Sequence, residues 1–241
     1  MANQPDFKYL LASIQRVHAS YISDDAAARA AFAELGCTVL GRFSDDETQA
    51  IASIAPDGVQ TLTITGSRVL VGTTKQHVID LAEDADIVPH DLGHGAYLAE
   101  GALRRAQGAW NALSGVFNPD ASVRFEGHSA GGWSTLAIPV IVPEHLIDAL
   151  IAWAPPKVAN DNYYDLLISG LDVTVVINGA DMWAAWPWGA ADLQHPPGDI
   201  LWLDGNSWAW KPRDQIRGSI IGGWGDHDEG EYLAKIKALA A

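Results

Sequence analysis

Apolar residues recur at intervals of three and four at Phe7, Leu10, Leu11, Ile14 and Val17, the spacing of one helical face. An alanine-rich stretch over 26–35 favours helix by propensity, and Gly36 suits its end. The pattern therefore predicts helix over 7–35 and makes residues 1–58 a mainly helical N-terminal segment. Two β-like runs follow, at 59–64 and 68–71, with Thr65-Gly66-Ser67 as a tight turn between them. Helix-like and strand-like segments then alternate: helix over 99–112, strand over 123–126, and helix over 129–138 stopped by Pro139. Short apolar runs at 149–153 and 173–178 read as buried strands. Such alternation predicts an α/β fold with a mostly parallel central sheet and helices on both faces. With no internal repeat and no Pro/Gly/Ser linker, residues 1–241 read as a single domain.

Charge narrows the partners. Fifteen basic against thirty acidic side chains leave a formal net charge of -15, which should repel nucleic acid and anionic membrane surfaces. No apolar run approaches the ~18 residues of a membrane span, so no stable membrane insertion is expected. The single cysteine, Cys37, allows no intrachain disulfide. The first residues carry neither a basic region nor a long apolar one, so the default compartment is the cytoplasm. Oligomeric state is not readable. Seven of ten tryptophans (Trp183, Trp186, Trp188, Trp202, Trp208, Trp210 and Trp224) lie after residue 180. They fit either packing around irregular loops or an aromatic wall of a substrate cleft.

The strongest chemical signal is Gly127-His128-Ser129-Ala130-Gly131, a G-x-S-x-G pattern extended by Gly132. Glycines two positions either side of a serine let a chain turn sharply from strand to helix, presenting the hydroxyl at the strand end. The first helical N–H groups, beginning at Ala130, then face any charge that forms there. In a chain of 23 glycines a chance match is not rare, and a capping serine at a glycine-rich helix start is the plainer alternative. The context favours the chemistry, because a strand-like run precedes the serine and a helix-like run follows it.

A serine hydroxyl needs a histidine base and an acid that orients it. His195 and His227 lie usefully downstream, whereas His145 sits just past the predicted helix. Among the acids, Asp181 stands out because it follows the run over 173–178, and loops after parallel strands hold catalytic groups in this architecture. Asp172, Asp192 and Asp226 are rivals. His90 and His94, four apart, would share a helical face and could hold zinc, but Gly93 weakens that helix. The acidic run Asp226, Asp228, Glu229 and Glu231 lacks the ligand spacing of a calcium loop. Neither is assigned a metal, and no cofactor is expected.

These segments together resemble the class three lipases, the fungal triglyceride lipase-like branch of the α/β-hydrolases. Leu70-Val71-Gly72-Thr73-Thr74 is similar to the family's strand ending in Arg-Gly-Thr or Gly-Ser, and His94-Gly95-Ala96 to its His-x-Gly-Phe region. The serine motif matches Gly-His-Ser-x-Gly-Gly. Ala154-Pro155-Pro156-Lys157-Val158-Ala159-Asn160 resembles Gly-x-Pro-Arg-Val-Gly-Asn. Asn178-Gly179-Ala180-Asp181-Met182 with Pro187 resembles the acid segment, and His195-Pro196-Pro197 a non-catalytic histidine segment. Asp226-His227, with Tyr232 five residues on, is similar to a terminal Asp-His-x-x-Tyr. The likeness covers roughly 60–233 in shared order.

It implies a serine carboxylic ester hydrolase: Ser129 as nucleophile, His227 as base in preference to His195, and Asp181 as the orienting acid. It further implies that Thr73 and Ala130 form the oxyanion hole, and a small-molecule ester as partner. Trp183 and Trp186, close to Asp181, would suit an aromatic or long-chain group. Three departures stand out. The segment 74–86, where the family has its lid, carries four acids and no aromatic, which suits soluble or short-acyl esters better than an oil surface. Val71 replaces the family's arginine, and Ala130 its leucine. A thioesterase or acyltransferase could use the same site, and a non-catalytic carbohydrate- or ligand-binding protein is the alternative of a different class.

Overall fold

The computed structural model describes residues 4–46, 48–66, 86–187, 192–219, 223 and 225–241. Among these residues eight strands form one sheet: β1 (Thr38–Ser44), β2 (Gln49–Ile54), β3 (Gln60–Ile64), β6 (Val123–His128), β7 (Ile147–Trp153), β8 (Val173–Asn178), β9 (Asp199–Asp204) and β10 (Ser207–Pro212). They lie side by side in that order, and β4 (Pro89–Asp91) pairs separately with β5 (Tyr97–Ala99). The five strands β3, β6, β7, β8 and β9 are parallel, with β1 and β2 antiparallel at one edge and β10 at the other.

Why the sheet is covered on both faces is visible in its strands. Along β7, Leu150 and Ala152 join one apolar cluster and Ile151 and Trp153 the other, the period-two alternation of a strand buried on both sides. The first cluster includes Leu103, Ala106 and Leu113 of α3 (Glu100–Leu113). The second is closed by Leu10, Ile14 and Val17 of α1 (Phe7–Ser20) and by Tyr232 and Ile236 of α5 (Glu229–Leu239). Asp6 caps α1, its carboxylate accepting from the Lys8 and Tyr9 N–H groups at 3.0 Å. A buried ion pair pins α1 to the sheet: the Arg16 guanidinium donates twice to Glu126 of β6, at 2.8 Å each, and the Thr63 hydroxyl donates to the same carboxylate.

That pair makes a stability prediction. Arg16→Met leaves Glu126 buried without its cation and should cost about 3–5 kcal/mol in urea unfolding. Arg16→Met combined with Glu126→Met should recover a large part of that loss, since an apolar pair carries no desolvation penalty. Equal losses in the single and double variants would contradict this account.

The N-terminal segment departs from the helical expectation. The predicted helix breaks at Tyr21, and α2 (Asp25–Glu34) restarts behind Asp24, whose side chain accepts from the Ala27 N–H at 2.8 Å. Residues 38–54 then supply β1 and β2, so 1–58 is helical only in its first half. The strand signal there is weak for two reasons. β2 is buried on both faces and rich in alanine, so it shows no alternation. β1 holds Gly41 and an irregular register. The helix after Ser129 is also shorter than expected: α4 (Ala130–Thr135) ends before Pro139, which sits in a 3-10 turn. Among the described residues β3 pairs with β2 and β6. The predicted run over 68–71 lies outside the described residues.

Candidate active site

β6 delivers Ser129 at its C-terminal end, and the chain turns there into α4. Ser129 has φ 59° and ψ -125°, a sparsely populated region that costs of order 1–3 kcal/mol for a residue with a Cβ. The surrounding glycines make the bend possible. A Cβ on Gly127 would lie 2.5 Å from the Gly131 carbonyl, and one on Gly131 would lie 2.0 Å from the Ile64 oxygen of β3. The motif thus packs strand, helix and neighbouring strand closer than any side chain allows.

Asp181 follows β8 through Gly179, whose φ of +50° and closeness to Asp226 exclude a side chain. His227 ends a three-residue 3-10 turn, Gly225–His227, just before α5. The three side chains meet. The Ser129 hydroxyl donates to His227 Nε2 at 2.8 Å, and His227 Nδ1 lies 3.0 Å from both Asp181 oxygens. All three are buried, Asp181 completely.

The carboxylate is further held by two donors, the Trp183 N–H at 2.9 Å and the Tyr232 hydroxyl at 2.8 Å. The Tyr232 oxygen in turn accepts from the Asn178 N–H. Burial first, and the adjacent Asp181 second, push the Tyr232 phenol well above its ordinary value, so it stays a donor. With Asp181 accepting at Nδ1, that nitrogen carries the ring proton and Nε2 is free to accept from Ser129. The arrangement can move a proton from hydroxyl to imidazole while a carboxylate stabilises the resulting charge.

No family model and no curated protein matches this sequence. Solved structures do match. A fungal lipase superposes over 98% of this chain and 99% of its own, at 18% identity and a TM-score of 0.71. A triacylglycerol lipase whose catalytic centre is formed by a serine protease triad covers 94% of each chain, at 18% identity and a TM-score of 0.71. The fold is that of the fungal lipases. A mono- and diacylglycerol lipase from Aspergillus oryzae matches over 99% of both chains, at 17% identity and a TM-score of 0.69.

Within this fungal-lipase fold the rival residues fall elsewhere. His195 is buried and its Nε2 donates to the Ala184 carbonyl at 2.7 Å, not to Ser129. Burial pushes it down to about 4, so it is neutral. Asp172 is exposed at the start of β8, the end opposite Asp181, and Asp192 is exposed in a loop. Asp226 holds the loop before Asp181, its carboxylate accepting from the Ala180 N–H at 2.8 Å and its carbonyl from Asn178 Nδ2. His90 and His94 share no helix: His90 lies on β4 and pairs with Glu100 at 2.6 Å, and His94 sits in the turn to β5 with φ 56°.

Ala130 is the first residue of α4, where an N–H has no intrahelical acceptor. Thr73 and most of the acidic segment 74–86 lie outside the described residues, as do Trp188 and Trp224. The Trp183 ring centroid is 5.9 Å from that of His227 and 5.5 Å from that of Trp186, which also meets Trp133 edge-on at 5.8 Å. Trp202, Trp208 and Trp210 lie in the hairpin of β9 and β10, which the sequence pattern missed. Sequence reasoning also gave no role to Tyr232, His128 or Tyr21, and held Asp226 only as a rival acid. For Tyr232 a signal existed in the family-like Asp-His run that it closes.

Proposed function

We propose that the protein is a serine carboxylic ester hydrolase, lipase- or esterase-like, in which Ser129, His227 and Asp181 act as nucleophile, base and orienting acid. The observation that carries this reading is the unbroken contact from the Ser129 hydroxyl through the His227 ring to a fully buried Asp181. In the mechanism it supports, Ser129 Oγ attacks the ester carbonyl while its proton passes to His227 Nε2. The tetrahedral oxyanion is held by the Ala130 N–H and, from the family resemblance, by the N–H and hydroxyl of Thr73. Collapse expels the alcohol with the proton from His227 and leaves an acyl-enzyme. Water activated by His227 then releases the acid and restores the serine. The Trp183 ring, tilted beside His227 with its centroid 5.9 Å away, suits the apolar part of the substrate. The acid-rich, aromatic-free segment 74–86 favours soluble or short-acyl esters over emulsified ones.

The test combines a fluorophosphonate probe with p-nitrophenyl esters of graded chain length. The expected result is a single label on the peptide containing Ser129. Turnover should be faster on acetate and butyrate than on palmitate, with no jump as substrate micelles form. Absence of label together with no hydrolysis of any ester would overturn the reading. A sharp rise at micelle formation would overturn only the short-acyl preference.

A further inference from the structure

The buried histidine next to the nucleophile has no part in the proposed mechanism, yet it touches the base. His128 Nε2 lies 2.9 Å from the main-chain carbonyl of His227, and its Nδ1 lies 2.8 Å from the Tyr21 hydroxyl. The Tyr21 oxygen is also 3.0 Å from the Gly66 N–H, just past β3. Proton roles in this chain follow from chemistry alone. A carbonyl can only accept, so Nε2 carries the His128 proton and Nδ1 is the acceptor. The Tyr21 hydroxyl therefore donates to Nδ1, and its lone pair accepts from the Gly66 N–H. Every donor has one acceptor.

We propose that Tyr21 and His128 are positioning residues that set the main chain of the base against the nucleophile bend; the proposal rests on the ester hydrolase reading above. His227 sits in a three-residue 3-10 turn rather than on a strand, so side-chain contacts must fix where its ring points. Adjacent residues supply two of them. His128 grips the His227 carbonyl while Ser129 meets its ring, and two points of attachment from one rigid bend set both distance and orientation. The His128 ring packs 4.9 Å from the His227 ring, centroid to centroid. Burial, and then the neighbouring His227, push His128 down to about 3, so its single proton stays on the nitrogen facing the carbonyl.

Tyr21 extends the grip to a third element. It caps the end of α1, and its hydroxyl joins the bend to the exit of β3. Closeness is enforced there too: a Cβ on Gly66 would lie 2.5 Å from the Tyr21 oxygen and 2.8 Å from Ser129 Cβ. One hydroxyl thus ties the exit of β3 to the residue that holds the base.

Tyr21→Phe removes the hydroxyl and keeps the ring that meets His128 edge-on, so it is the first variant to test. Rates are read per labelled active site on p-nitrophenyl butyrate. We expect kcat to fall about tenfold with KM within twofold, because misplacement affects the reacting geometry rather than substrate binding. Fluorophosphonate labelling should slow by the same factor. His128→Gln, whose amide can still reach the His227 carbonyl, should keep several-fold more kcat than His128→Leu. A merely structural role predicts a lower Tm with unchanged kcat per labelled site, and that result for Tyr21→Phe would overturn the proposal. Equal kcat in His128→Gln and His128→Leu would overturn it as well. If the wild-type protein takes no label, the hydrolase reading itself fails, and this inference fails with it.

Discussion

Ser129→Ala is expected to lower kcat on p-nitrophenyl esters by about 10⁶ and to abolish fluorophosphonate labelling. The size follows from the chemistry: without the hydroxyl no acyl-enzyme can form, and only direct attack by water, helped by binding and oxyanion donors, remains. The fold should survive. Alanine has the same Cβ as serine, so the strain at φ 59° is unchanged, and the loss is one hydrogen bond to His227, worth about 1 kcal/mol. Circular dichroism and a Tm close to wild type would establish that the activity loss is chemical. Retention of activity to within tenfold would mean that another nucleophile does the work and that the strained bend at Ser129 serves something else.

Asp181→Asn should lower kcat by about 10⁴ while preserving the packing of the site. The argument is one of proton placement. The Trp183 N–H is a fixed donor aimed at Oδ1, so the amide oxygen of asparagine must take that position. The amide NH2 then replaces Oδ2, where it meets the Tyr232 hydroxyl and His227 Nδ1. Tyr232 can turn its hydroxyl and accept, while Nδ1, 3.0 Å from both positions, now meets the amide NH2 as well as its oxygen and loses the full charge that held its proton. The tautomer with the proton on Nε2 becomes accessible, and its N–H points at Ser129 and cannot act as a base. Asp226→Asn is the control among the neighbouring acids. It disturbs the loop bond to Ala180 and the ion pair with Lys235 at 4.0 Å, neither of which touches the His227 ring, and its loss of kcat should be far smaller. Comparable losses in the two variants would show that the site depends on negative charge near the base rather than on the ring proton's position.

Some of this site was readable from the chain. The Gly127 and Gly131 spacing around Ser129 is legible because the close approach it permits is local, with the bend and both glycines inside one strand-turn-helix unit. Asp181 was reachable because an apolar run over 173–178 marks a buried strand, and the loop after it is a defined place. His227 was preferred to His195 mainly through the family resemblance, with the rigid Pro196-Pro197 pair also counting against His195, since no periodic pattern marks either segment. What tells them apart in space is that His195 donates to Ala184 while His227 reaches Ser129.

The sequence by itself determined the alternation of elements, the mostly parallel sheet they imply, and the sharp bend that raises a serine at the end of β6. All three arise from neighbours along the chain, through steric freedom at glycine and the period of apolar residues. Only the tertiary structure decided that alanine-rich β2 and tryptophan-bearing β9 and β10 are strands, because pairing with partners far along the chain supplied what local pattern lacked. It alone brought Tyr21, Gly66, His128 and Tyr232 around the base, since a hydrogen bond across 45 to 107 residues leaves no periodic trace.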